Sequence, residues 1–100
     1  MNLQPIESYG PLFSLPPAYP ANPFDGPRGD YPGSQNWRLY ERLKEGPVSN
    51  GEIIYQMRIA NSTGRCSEIR AFLRRHGFDL RSDETGNASE WTYEIVRAGQ

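Results

Sequence analysis

Between Val48 and Gly77 the chain carries two helix signatures so close together that only a tight turn fits between them. The first opens at Ser49-Asn50-Gly51-Glu52, where the serine hydroxyl can accept from the third helical N–H while the glutamate reaches back to the serine's own N–H. Ile53, Ile54 and Met57 follow on one face about 100° wide, and Arg58-Ile59-Ala60 makes the turn. Asn61 or Ser62 then caps a second helix, expected over residues 61–76, with Gly77 as a left-handed stop. Two helices locked at a sharp angle are a device for presenting the second one to a DNA major groove.

The prolines narrow where the folded part lies. Eight of the nine fall between Pro5 and Pro32. Up to Ser34 there is no helical or alternating apolar period; Tyr9, Phe13, Tyr19, Phe24 and Tyr31 are spaced among prolines and glycines. The expected organisation is a proline-rich tail over residues 1–33 and one folded domain over residues 34–97. A domain of that size buries only roughly 60% of its unfolded surface, so its stability margin is narrow. The single cysteine, Cys66, can make neither an internal disulfide nor a cysteine-based zinc site. Residues 1–20 lack a basic start and a continuous apolar run, and nothing approaches the ~20 apolar residues that span a membrane. The expectation is a cytoplasmic protein with no membrane association. The net charge of −1 gives no blanket attraction to nucleic acid, yet it is unevenly divided. Residues 1–34 sum to −2 and residues 35–100 to +1.

Ser34 is placed to cap a helix over residues 35–45, on which Leu39, Tyr40 and Leu43 share a face with Trp37 at its edge, before Gly46-Pro47 ends the run. Val48 sits in a short extended link of the kind that pairs loosely with a sheet edge. Beyond Gly77 the apolar period changes from 3.6 to 2. Phe78, Leu80 and Ser82 alternate with Asp79, Arg81 and Asp83; Trp91, Tyr93 and Ile95 alternate with Thr92, Glu94 and Val96. The turn-rich Glu84-Thr85-Gly86-Asn87-Ala88-Ser89 between them closes a β-hairpin. Three helices followed by a hairpin is the order of a winged helix, an α+β fold that is mainly α.

The chain resembles the small winged helix-turn-helix proteins found widely in bacteriophages and prophages. The residues that carry the resemblance are Val48-Ser49-Asn50-Gly51-Glu52-Ile53 at the helix opening and Ile59-Ala60 in the turn. To these are added Gly64-Arg65-Cys66-Ser67-Glu68-Ile69-Arg70 in the recognition helix and Gly77-Phe78-Asp79-Leu80 leading into the wing. It covers residues 35–96 and leaves the proline-rich segment aside. It implies binding to double-stranded DNA, in transcription regulation or in DNA transactions such as replication or recombination.

On a helical wheel, Cys66, Ile69 and Leu73 fall within about 60° of one another with Phe72 beside them, which marks the core stripe. Thr63, Ser67, Arg70 and Arg74 occupy a second arc, flanked by Gly64 and Ala71. Small residues beside arginines permit close approach to a groove floor, and a guanidinium can bond guanine O6/N7 or a phosphate bidentately. The candidate DNA contacts are therefore Thr63, Gly64, Arg65, Ser67, Arg70 and Arg74. The plain alternative is that these arginines only solvate an exposed face. Arg65, on the opposite shoulder one turn before Glu68, suits an ion pair as well as a phosphate. Arg58 at the turn is a further phosphate candidate, and Arg75 suits the helix C-terminal dipole. The wing departs from the usual pattern: Asp83, Glu84 and Glu90 flank its tip and only Arg81 is basic, whereas phosphate-gripping wings carry cations. Thr85 and Asn87 remain as neutral wing contacts, and the acidic tip suits a protein surface.

No catalytic constellation, phosphate loop or metal-ligand cluster is evident, so no enzyme activity, cofactor or metal is expected. His76 falls at a helix end, and Cys66 lies on the core stripe as a small hydrophobe. The tail reads either as an unfolded leader or as a docking segment whose Phe13, Pro17, Tyr19 and Phe24 favour an aromatic-lined groove on a host or phage protein. Its aromatics could instead fold back onto Trp37, Tyr40 or Tyr55, or exchange with a second subunit. The sequence thus points to a DNA-binding protein with residues 61–76 as reader, expected as a homodimer on paired half-sites. The rival is a winged-helix interaction module that binds and redirects a host protein without touching DNA.

Overall fold

The computed structural model describes residues 19–24, 26 and 32–99. Helix α1 (Pro32–Leu43) begins at Pro32 rather than after Ser34. Proline at a first helical position sacrifices no hydrogen bond. Ser34 is fully buried inside the first turn, with its hydroxyl unpartnered, and so does not act as the cap. The expected face of Leu39, Tyr40 and Leu43 is buried, and Gly46, at φ 138°, takes the chain out of the helix.

Strand β1 (Val48–Ser49) lies antiparallel to the last strand, with Val48 opposite Tyr93. The following short helix, Glu52–Gln56, is wound as a π-helix. Half of the expected capping box forms: the Glu52 N–H donates to Ser49 Oγ at 3.0 Å. The reciprocal half does not, because the Glu52 carboxylate is taken by Arg42, with Nε at 2.7 Å and an Nη at 3.3 Å. The wider π winding also breaks the expected apolar face. Ile53 is buried and Met57 packs on the core, but Ile54 is 38% exposed. The turn is pinned by Ile59, buried, whose N–H donates to the Ile53 carbonyl at 3.0 Å.

Helix α2 (Ser62–Arg74) follows, and Cys66, Ile69, Phe72 and Leu73 form its buried stripe as the periodicity requires. Gly77, at φ 84°, supplies the left-handed stop. Strands β2 (Phe78–Asp83) and β3 (Thr92–Arg97) make the hairpin, with Leu80 opposite Ile95. The sheet order is β1-β3-β2. The link between the strands is not a bare turn, since Ala88–Glu90 forms a single 3-10 turn. Trp91 falls just outside β3 and is half-buried, with its indole nitrogen buried. The result is a small α+β fold of three helices and a three-stranded antiparallel sheet. Among the described residues no helix is long and apolar enough to cross a membrane.

Part of the expected tail belongs to this core. Tyr19 packs against Phe78 with ring centroids 5.4 Å apart, and Phe24 meets the edges of Tyr40 and Phe72 at 6.3 and 5.7 Å. The Tyr40 hydroxyl donates to the Pro20 carbonyl at 2.7 Å. The Asn22 amide donates to Glu41 and to the Trp37 carbonyl, at 2.9 and 3.2 Å. Tyr19 and Phe24, two of the docking candidates, thus lie half-buried on the chain's own aromatic cluster, and residues 19–24 form a strap across α1 and α2. The physical reason is that Tyr40, Phe72 and Phe78 leave apolar surface that two further rings complete. Of the other docking candidates, Phe13 and Pro17 lie outside the described residues.

Candidate nucleic-acid interface

Helix α2 is aimed by its first two residues. Asn61 adopts a left-handed conformation at φ 54°, and its side chain accepts from the Gly64 N–H at 3.3 Å. This gives Gly64 a structural duty: a Cβ there would fall 2.3 Å from the Asn61 amide nitrogen, so any side chain expels the cap. Ser62 is buried and donates to Asn50 Oδ1 at 2.7 Å. Asn50, also buried, donates through its side chain to the Ala88 carbonyl at 3.1 Å and through its backbone to Trp91 at 2.7 Å. One asparagine thus ties the start of α2 to the hairpin link. The sequence pattern treats Asn50 as a helix-opening residue only; its one legible hint is an amide-bearing side chain directly after a strand.

Of the six residues expected to contact DNA, four share one face of the structure. Thr63, Ser67 and Arg74 are exposed and Arg70 is half-buried. Gly64 lies beneath the Asn61 cap. Arg65 does not join them. Its side chain is only 12% exposed, and it pairs with Glu68 at 3.2 Å. Glu68 in turn accepts from Asn36 of α1. Glu68 thus joins α2 to α1, and the ion-pair reading of Arg65 is the one its surroundings match.

Arg70 and Arg74 are organised by Asp79 at the start of the hairpin. Arg74 Nε lies 3.0 Å from Asp79 Oδ1, and Arg70 Nε lies 3.9 Å from the same oxygen while donating to the Leu80 carbonyl at 3.1 Å. Asp79 is itself oriented by the Leu80 N–H at 2.7 Å. The Arg74 guanidinium, with Leu80 N–H and the Arg70 charge behind it, holds the Asp79 carboxyl below its ordinary range. An exposed pair of this kind contributes only about 0–1 kcal/mol, so Arg74, 62% exposed, can exchange Asp79 for a phosphate at little cost. Arg70 spends Nε on the Leu80 carbonyl, which leaves its two terminal nitrogens to a ligand.

The hairpin presents mainly negative or committed groups. Arg81 is bound to Glu94 at 2.6 Å, and Asp83, Glu84 and Glu90 are exposed. The Asn87 N–H donates to Glu90 at 3.3 Å and the Thr85 N–H to Asp83 at 3.3 Å, so the backbone at both candidate wing contacts serves the loop itself. Between α2 and the hairpin lies a cleft of about 170 Å³ lined by Thr63, Cys66, Ser67, Arg70, Glu84 and Tyr93. Burial pushes the Cys66 thiol up to about 12, so it stays protonated and unreactive at neutral pH. Elsewhere, Ile54 and Tyr55 beside Arg58 form an exposed apolar patch, with Tyr55 72% exposed. No family model, no curated protein and no solved structure matches the chain.

Proposed function

We propose that the chain is a winged helix-turn-helix protein of the bacteriophage and prophage type that binds double-stranded DNA in its host's cytoplasm. Helix α2 lies in the major groove, and the protein acts in transcription regulation or DNA transactions as a dimer on paired half-sites. The observation that carries this reading is the shared exposed face of Thr63, Ser67, Arg70 and Arg74, with both arginines held in place by Asp79. The element order, with β1 completing the hairpin sheet, supports the winged-helix assignment. Carboxylate-backed arginines are restricted in their rotamers before they meet a base edge, which lowers the ordering cost of binding. Arg65 is left out of the contact set on account of its burial and its pairing with Glu68.

The test is a titration of the full chain against random duplex DNA at two salt concentrations. Affinity is expected to fall steeply with salt, as phosphate neutralisation releases counterions. Arg70→Ala should cost ~1–3 kcal/mol of binding and relax preference at one position, while Arg74→Ala should reduce the salt slope by about one. Complete absence of binding at low salt overturns the reading. It would favour the second one, a winged-helix module that binds a host protein, for which the exposed Ile54–Tyr55 patch is the specific support.

A further inference from the structure

We propose that the cleft between α2 and the hairpin reads a G·C base pair, with Arg70 on the guanine and Glu84 accepting from the cytosine amino group. This rests on the duplex-binding reading above and adds to it a base preference and a residue that determines it. Arg70 and Glu84 come from different elements and line the same small cavity, over a floor of the buried Cys66 and Tyr93. Thr63 and Ser67 form its rim on the exposed face of α2. Arg70 is held at Nε by the Leu80 carbonyl and backed by Asp79, so its terminal nitrogens are the free part of the group. The Glu84 carboxylate is exposed, and no hydrogen bond or ion pair within the described residues engages it.

A carboxylate at this place is a liability toward phosphate and an asset toward one particular base edge. In the major groove, guanine offers two acceptors, O6 and N7, to a guanidinium, and its paired cytosine offers the N4 amino donor beside O6. A donor and an acceptor facing one cavity therefore match both halves of a single G·C pair. The reversed pair sets cytosine's amino group against Arg70 and guanine's acceptors against Glu84. An A·T pair with adenine toward Glu84 leaves Arg70 one acceptor and a methyl group. Both arrangements are disfavoured, as is the pair with adenine toward Arg70, which sets its amino donor against the guanidinium and thymine O4 against the carboxylate. An acidic residue unsuited to a phosphate-gripping wing thus has a use at the groove floor.

The experiment selects binding sites from a randomised duplex pool with the full chain, as wild type and as Glu84→Ala. Circular dichroism on both checks that the exposed substitution leaves the fold intact. The wild type should enrich a fixed G·C position and prefer it over A·T there by roughly 5–150-fold, the range of a good base contact. Glu84→Ala should bind random duplex at least as tightly, because a negative charge is gone, yet tolerate other bases opposite that guanine. Arg70→Gln should lose the guanine preference itself. If Glu84→Ala keeps the wild-type preference, or no G·C position is enriched by a protein that does bind duplex, the inference is overturned while the DNA-binding reading stands. If the wild type binds no duplex at low salt, both fall together.

Discussion

Asp79 shows how much of the interface is decided by single side chains. It stands at the second position of β2 and serves Arg74, Arg70 and the Leu80 N–H at once. Helical spacing makes the two arginines legible in the sequence, because 3.6-residue periodicity puts Thr63, Ser67, Arg70 and Arg74 on one arc. Their acidic partner is not, since it lies on another element and only the turn at Gly77 brings it alongside. The same limit applies around Arg65: its spacing from Glu68 is visible, but the contact of Glu68 with Asn36 on α1 is not. Because the folded Asp79 carboxyl titrates below its ordinary value, its contribution is present above the usual aspartate range, near pH 4. That contribution is lost as pH falls through the lower folded value. Asp79→Asn should therefore melt below wild type at neutral pH, and the difference should close on acidification below about pH 4. Thermal melts of both proteins across that range check it, and a gap that stays constant would show that the carboxylate is not the cause.

At the scale of elements, those with a regular period were legible and the irregular ones were not. The α2 stripe and the β2–β3 alternation follow from one repeating rule each, and both are buried as that rule requires. The short helix has no such rule. Its π winding, the positive φ of Arg58 and the diversion of Glu52 to Arg42 are set by what surrounds it. Ile54 is exposed in consequence. Just before this helix, Asn50 joins the end of β1, the start of α2 and the hairpin link through three hydrogen bonds. Removing its side chain strands the buried Ser62 hydroxyl and takes a donor from the exposed Ala88 carbonyl. Asn50→Ala should therefore cost roughly 1–3 kcal/mol, the penalty for an unmet buried polar group. The variant should also show faster amide exchange at the start of α2 and in the Ala88–Glu90 turn than elsewhere. Uniform loss of protection across the chain would argue that Asn50 acts on global stability alone and does not couple the two elements.

The whole molecule is larger than its periodic part. The lack of an apolar period in the proline-rich segment predicts a fold of residues 34–97 alone, but a strap has no need of such a period. Tyr19 and Phe24 are separated by Pro20-Ala21-Asn22-Pro23, a stretch that prolines hold extended at little entropic cost. The two rings bracket α1 from Phe78 on one side to Tyr40 and Phe72 on the other. In so small a domain, such cover is a large share of the net stability. Phe24→Ala is accordingly expected to destabilise by roughly 1–2 kcal/mol, since half-buried aromatic surface is lost. That corresponds to a fall in Tm of about 4–8 °C for each kcal/mol. Deleting residues 1–31 should lower Tm further and expose the Tyr40–Phe72–Phe78 surface, seen as new binding of a hydrophobic dye. The strap touches the core side of α2 while Thr63, Ser67, Arg70 and Arg74 lie on its exposed face. Below its lowered Tm, the shortened chain should therefore keep the duplex preference of the full one. If it melts like the full chain and binds no dye, the strap contributes nothing to the fold. If it remains folded but loses duplex affinity, residues 1–31 make DNA contacts of their own and α2 is not the sole reader.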